Sequence, residues 1–500
     1  MISGSDKSFQ ETRVYKKIIH LKSYNTFCDK FRVTNYTHGT DNSERSPFLQ
    51  DRNKPVSLTP SWEQRNLPND ELNFKGMTMD RAKMEISPPY DKWKLVFLIF
   101  MLHGLGTLMP WNMFITAKSY FVEFKLNTTL TTSEDSTYST NFLAYIGFAS
   151  QIPNVIFNWL NVFVNMGGDL TKRIVWSILI EICVFIVTVV LAMLDSSSWP
   201  GAFFWITMFC VVILNMANGI YQNTVFGMVA TLPIKYTGAV VLGSNISGLF
   251  ASVISICSSL IFSSQRTAAI YYFITAMFVL LVCFDTYFAL PLNRFFRYNE
   301  LMREKETNQV AIDDKSRPPY WAIFKKASPQ LFNVFFLFFI TLAVFPAVHS
   351  DVKRSDKGFF VPEHLYTSIT CFLTFNFFAM VGSLCTSWVQ WPRPKYLWIP
   401  VVLRVVFLPL FIICNYQPQN ITRSLPVYIH NDFVYWAIAI VMSFSSGYLS
   451  SLGMMYTPQT VAQKHQVTAG MFAAAMLITG IFTGITFTMV FPIIVANVSF

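Results

Sequence analysis

Long apolar runs recur along this chain, near 94–121, 139–164, 173–194, 201–231, 237–263, 268–292, 329–349, 364–391, 395–415, 432–456 and 466–495. Each is long enough for one bilayer crossing, which takes about 20 residues. In hydrocarbon a spanning segment must satisfy its own backbone polar groups, so each run reads as a helix. The pattern predicts an all-α polytopic membrane protein of eleven transmembrane helices. A charged segment from Asn293 to Ala327 parts them six and five. Four regions follow: an N-terminal tail over 1–93, a six-helix half over 94–292, a cytosolic basic loop over 293–328 and a five-helix half over 329–500. The tail is rich in Asn, Ser, Thr, Lys and Arg and reads as disordered. It holds no apolar h-region, so the first helix is expected to serve as the insertion signal.

Polar positions inside the runs are few and ordered. In the second span Gln151, Asn154, Asn158, Asn161 and Asn165 step by three and four, which aligns them on one helix face. In the fourth, Asn215, Asn218 and Gln222 do the same. In the eighth, Asn376, Ser383 and Thr386 share a face with Ala379. Such groups face other helices or a water-filled cavity. The first span adds a second sign. Its middle reads Gly104-Leu-Gly-Thr-Leu-Met-Pro-Trp-Asn112, with Pro110 removing a backbone donor at mid-depth. Leu108, Trp111 and Ile115 fall on one face. A kinked packing helix is one reading and a cavity-lining helix the other; three amide stripes beside it favour a polar central cavity. Amides suit uncharged hydroxylated or heterocyclic solutes. Gly243, Gly248 and Gly447 read as points of close helix contact.

Composition narrows the class. The chain is 53% hydrophobic and 13% charged, with mean hydropathy +0.40, whereas soluble domains carry roughly 25% charged residues. The net charge of +10 says little until its placement is known. With the N-terminus inside, 30 Lys and Arg fall in inner segments and six in outer loops, which sets the orientation: tail and central loop cytosolic, C-terminus extracellular or luminal. Asn127-Thr-Thr and Asn420-Ile-Thr are then outer glycosylation sequons, and Asn35-Tyr-Thr is an inner one expected to stay unmodified. The eight cysteines show no paired spacing for a disulfide framework or zinc site. Ionisable groups inside the spans are few: His103, Glu181, Asp285 and Arg404. No P-loop, metal cluster or nucleophile motif occurs at an interpretable spacing. An enzyme, a cofactor and a nucleic-acid partner are therefore not expected, and a strongly ion-coupled pump would carry more charge.

Several stretches resemble one family. GLGTLMPWNMFITAKSYF, from Gly104 to Phe121, is similar to the first helix of the equilibrative nucleoside transporters. Ile220-Tyr-Gln-Asn-Thr-Val-Phe-Gly227 resembles their fourth span, Leu232 through Gly248 the fifth, Leu403 through Asn415 the ninth and Ser446 through Leu452 the tenth. Cys414-Asn-Tyr-Gln-Pro418 and the long tail are most similar to the endolysosomal branch. The resemblance implies a major-facilitator-like fold that passes nucleosides or nucleobases through a central cavity by alternating access. It implies a cavity lined by Leu108, Trp111, Ile115, Gln151, Asn154 and Gln222, with Gln222 on the nucleobase. It makes Gly104, Gly106, Pro110 and Arg404 structural.

In the eighth span the family commonly carries an Asp and an Arg that hold the ribose hydroxyls. Here Phe375-Asn376-Phe-Phe-Ala379-Met-Val-Gly382-Ser383 keeps Asn376 and Gly382 but has Ala379 and Ser383 at those two positions. Two alternatives to a nucleoside carrier follow: a carrier of another small polar solute, or a non-transporting member acting as a sensor or interaction protein. Glu44-Arg-Ser-Pro-Phe-Leu49 resembles an acidic dileucine signal, which would engage a sorting adaptor; a chance match is the other reading. The expected location is the plasma membrane, or alternatively the late endosome or lysosome.

Overall fold

A computed structural model describes residues 89–117, 120–126, 142–164, 170–262, 264–311, 318–356, 358–418 and 423–497. The tail, its sorting-signal match and the sequons at Asn35, Asn127 and Asn420 lie outside the described residues, as does Asn165. The long helices of the first half are α1 (Leu95–Thr116), α2 (Phe142–Phe163), α3 (Leu170–Met193), α4 (Pro200–Val229), α5 (Ile234–Ile261) and α6 (Gln265–Ala289). Those of the second half are α7 (Tyr320–Val344), α8 (Thr374–Cys385), α9 (Pro394–Ile413), α10 (Asp432–Tyr456) and α11 (Gln466–Phe487).

Ten helical stretches among the described residues are long and apolar enough to cross a membrane, against the eleven expected. The one missing from that set is α2. It has 22 residues, but Gln151, Asn154, Asn158 and Asn161 lower its hydropathy.

Several boundaries differ from the expected ones. α7 starts at Tyr320 rather than 329. Lys325 and Lys326 are exposed while Ile323 and Ala327 are buried one turn apart, so the helix simply turns its lysines outward. The central loop is correspondingly shorter and holds a helix of its own, Arg294–Ala311. The eighth span opens as a π-helical turn, Thr367–Leu373, before α8 proper. α9 tightens to a 3-10 turn at Arg404–Val406. The last run breaks after Phe487 and resumes as Val490–Asn497. α1 runs through Pro110 as one helix.

Where two helices must touch, glycine makes room. A Cβ on Gly243 of α5 would overlap the Met101 carbonyl of α1, and one on Gly104 would overlap the Val240 carbonyl. Gly447 of α10 lies against the Ala379 carbonyl of α8 in the same way. Without a hydrophobic driving force between helices in lipid, close van der Waals approach is what holds such pairs together.

Polar clasps fix the ends. Asp91 accepts from the Val96 and Phe97 amides at the start of α1, and from the Tyr236 hydroxyl of α5 at 3.1 Å. In the second half, Asp432 accepts from the Ser355 and Asp356 amides and the Tyr366 hydroxyl. Burial and that carboxylate push the Tyr366 phenol up. The Arg423 guanidinium donates to the carbonyls of Ile412, Cys414, Tyr416, Leu425 and Pro426.

Candidate functional site

The first and second halves meet along two seams. At one, α2 and α4 face α11. The Trp159 indole donates to Thr479 at 2.9 Å, and the Asn223 amide donates to the Met471 carbonyl at 2.8 Å. At the other, α5 faces α8. The Asn245 amide donates to the Ser383 hydroxyl at 2.6 Å, and the Asn376 amide donates to Ser252 at 3.2 Å.

The amide stripes divide between these seams and open positions. On α2, Gln151, Asn154, Asn158 and Asn161 are all buried. Asn158 donates to Asn154 at 2.7 Å within the same helix. Asn161 donates to Asn223 at 2.9 Å and Thr224 at 3.1 Å, and accepts from Arg173 at 3.0 Å. The chain Arg173–Asn161–Asn223–Met471 thus ties α3, α2, α4 and α11 at the end of the bundle where α4 finishes and α11 begins. The helices nearly touch there: a Cβ on Gly470 would stand 2.7 Å from Ala230.

Higher on the same faces the amides are idle. Gln222 and Asn218 are buried on α4, and neither atom of either amide has a partner among the described residues. The Gln151 oxygen of α2 and the Asn215 oxygen of α4 are also unpaired. Most buried polar groups in a folded protein are hydrogen-bonded, so this is a concentrated exception. α2 and α4 are adjacent at this level: a Cβ on Gly219 would come 3.2 Å from the Asn154 side-chain oxygen. Leu108, Trp111 and Ile115 are each half-buried on α1.

The eighth-span positions have structural partners. Ser383 is buried; its hydroxyl accepts from Asn245 and donates to the Gly447 carbonyl at 3.1 Å. Ala379 is buried against α10 at Gly447. Asn376 is half-buried, and its oxygen lies where a Cβ on Gly248 would stand. Arg404 is buried and bridges three helices, donating to Thr341 of α7 at 2.8 Å and, on α10, to the Met442 carbonyl at 2.9 Å and the Ser445 hydroxyl.

Two cavities stand out, and neither contains these residues. One, of about 60 Å³, lies among Leu170, Thr231, Leu290 and Glu300. The other, an open groove of about 600 Å³, runs along the outer faces of α2 and α4 past Ile152, Trp205 and Phe209.

Sequence reasoning missed three features here. Arg173, at the first position of the third apolar run, is buried in the first turn of α3. Asn218 was seen only as one of a stripe, not as an idle amide. His103 of α1 pairs with Tyr221 of α4, its Nδ1 lying 2.7 Å from the phenol oxygen. The stripe at 215, 218 and 222 was the available signal for the second; the others depend on neighbours distant in sequence.

Comparison with known proteins gives a consistent result. The family model described as "Nucleoside transporter" matches residues 208–493. Human equilibrative nucleoside transporter 1 is 32% identical over 455 residues, covering 81% of this chain and 99% of that protein. Equilibrative nucleoside transporter 3 of Rattus norvegicus is 30% identical over 423 residues, covering 79% and 88%. Equilibrative nucleoside transporter 2 of Mus musculus is 30% identical over 451 residues, covering 81% and 98%. Among solved structures, the human organic anion transporter MFSD10 matches with a TM-score of 0.49 at 12% identity, covering 82% of this chain and 95% of that one.

Proposed function

The chain belongs to the equilibrative nucleoside transporter family, and we propose that it is a facilitative carrier of nucleosides and nucleobases working by alternating access. The observation that carries this reading is the group of buried amide atoms on α2 and α4 without a partner among the described residues: both polar atoms of Asn218 and of Gln222, and the Gln151 oxygen. Unpaired buried amides cost free energy in the empty protein. A heterocyclic solute presents adjacent donors and acceptors and relieves that cost. In this reading Gln222 pairs with the base, Gln151 and Asn154 flank it, and Leu108, Trp111 and Ile115 form the apolar wall. The lock at Arg173, Asn161, Asn223 and Met471 closes the path at one end, which the charge asymmetry assigns to the cytosol.

Sugar recognition is weaker in this carrier. Ala379 offers no polar group, and the Ser383 hydroxyl is already engaged by Asn245 and Gly447. Free nucleobases therefore compete about as well as their nucleosides. The carrier sits in the plasma membrane or the late endosome and lysosome, with a tail that engages a sorting adaptor and a glycan on Asn127. The test is uptake of radiolabelled adenosine, uridine and adenine by cells expressing the chain, with surface expression confirmed. Silence toward all three refutes transport. Asn127→Gln should raise gel mobility; unchanged mobility refutes the assigned glycan.

A further inference from the structure

Inside the first half, away from the amides on α2 and α4, lies a second polar cluster. Glu181, midway along α3, has no solvent exposure, and neither carboxyl oxygen has a hydrogen-bond partner among the described residues. α3 packs against α4 and α6. From α4 Tyr221 lies within electrostatic reach of Glu181, and from α6 Cys283 does the same. Tyr221 is paired with His103 of α1, whose other ring nitrogen is buried and has no partner among the described residues. Tyr287 of α6 closes on the same imidazole edge-on and bonds to Thr171. On α3 itself the nearest cation is Arg173, two turns away and held by Asn161. Asp285 of α6 is exposed. Among the described residues, then, no Lys or Arg is found against the carboxyl.

A bare carboxylate in that setting is costly: it has lost water and gained neither a donor nor a counter-charge. Packing alone would be served by Leu or Ile. Ionisable groups kept inside membrane helices mark ion or proton pathways by default.

We propose that Glu181 is a proton-binding site in the six-helix half, protonated in this conformation, and that the carrier cycle takes a pH dependence from it. Binding is one step: a proton leaves hydronium in water, forms the O–H bond of the neutral acid and cancels the carboxylate charge. Loss of that proton puts an unpaired charge near Tyr221 and Cys283, which disfavours this packing of α3, α4 and α6. The coupling rests on the carrier reading; the proton site itself does not.

Two measurements on the full chain separate them. Infrared spectra of the purified protein at neutral pH should show a carboxylic-acid carbonyl band that Glu181→Gln removes. Uptake by wild type should fall as pH rises, by at most about tenfold per pH unit for one titrating proton, and Glu181→Gln should flatten that profile. Glu181→Leu should flatten it too. The amide is an isostere of the neutral acid, so Glu181→Gln should reach the membrane at wild-type levels. An unchanged infrared band overturns the proposal, as does the wild-type pH slope persisting in Glu181→Gln or a Gln variant that fails to fold. Uptake absent at every pH with the band present refutes the carrier reading and the coupling with it.

Discussion

Gln222→Leu should move stability and affinity in opposite directions. Gln222 is fully buried, and both polar atoms of its amide lack partners among the described residues. Leaving a buried group unsatisfied costs about 1–3 kcal/mol. Leucine keeps most of the bulk and removes that cost, so the empty protein should melt higher. In the occupied protein the same amide donates to and accepts from the solute. Removing it leaves polar edges of the solute unpaired, again at about 1–3 kcal/mol. At 1.4 kcal/mol per tenfold, apparent affinity should weaken about ten- to hundredfold. An amide that only packed between helices would give the gain in stability without the loss of affinity. The assay is thermal melting of purified protein with and without adenosine, together with uptake kinetics. At the same adenosine concentration wild type should gain more stability than the variant. A variant that melts lower and transports with unchanged kinetics refutes the base-reading role.

Three further perturbations test other parts of the structure. Gly243→Val places side-chain atoms against the Met101 carbonyl and should destabilise by about 1–3 kcal/mol; Gly147→Ala, whose Cβ would meet only Ile485 at 4.0 Å, should be neutral in the same melting assay. Arg404→Lys keeps the charge but cannot reach Thr341, Met442 and Ser445 from one rigid fork, so folded yield should drop, and a normal yield would sink the bridging role. Ala379→Asp with Ser383→Arg should restore preference for adenosine over adenine in competition. Either change alone should lower surface expression, since one charge at the midplane costs about 2.5–3.5 kcal/mol; a double variant no better than the singles refutes the pairing.

Periodicity was the part of the molecule most open to sequence reading, because the helical repeat is local. The step of three and four at Gln151, Asn154, Asn158 and Asn161 fixes a face, and all four are buried on it. The close approaches at Gly243 and Gly447 were legible for a similar reason: a glycine among bulky apolar residues signals room given to a neighbour. Partner choice was not legible. Asn161 and Gln222 are both amides at stripe positions, yet Asn161 bonds to Asn223, Thr224 and Arg173 while Gln222 has no partner among the described residues. That difference is set by α3 and α11, whose contributions come from Arg173 and from Met471, the latter 248 residues beyond Asn223. Charge counting carries no sign that Arg173 is buried, because the count takes a cation near a span end to lie in water. A guanidinium can instead extend along the helix to a buried amide and exchange hydration for a charge-assisted hydrogen bond. The amides that bond across the halves and those that stay idle therefore differ in cost to the empty protein, although one residue type serves both. Only the idle ones gain from a solute, and this is why the candidate site is defined by missing partners rather than by residue identity.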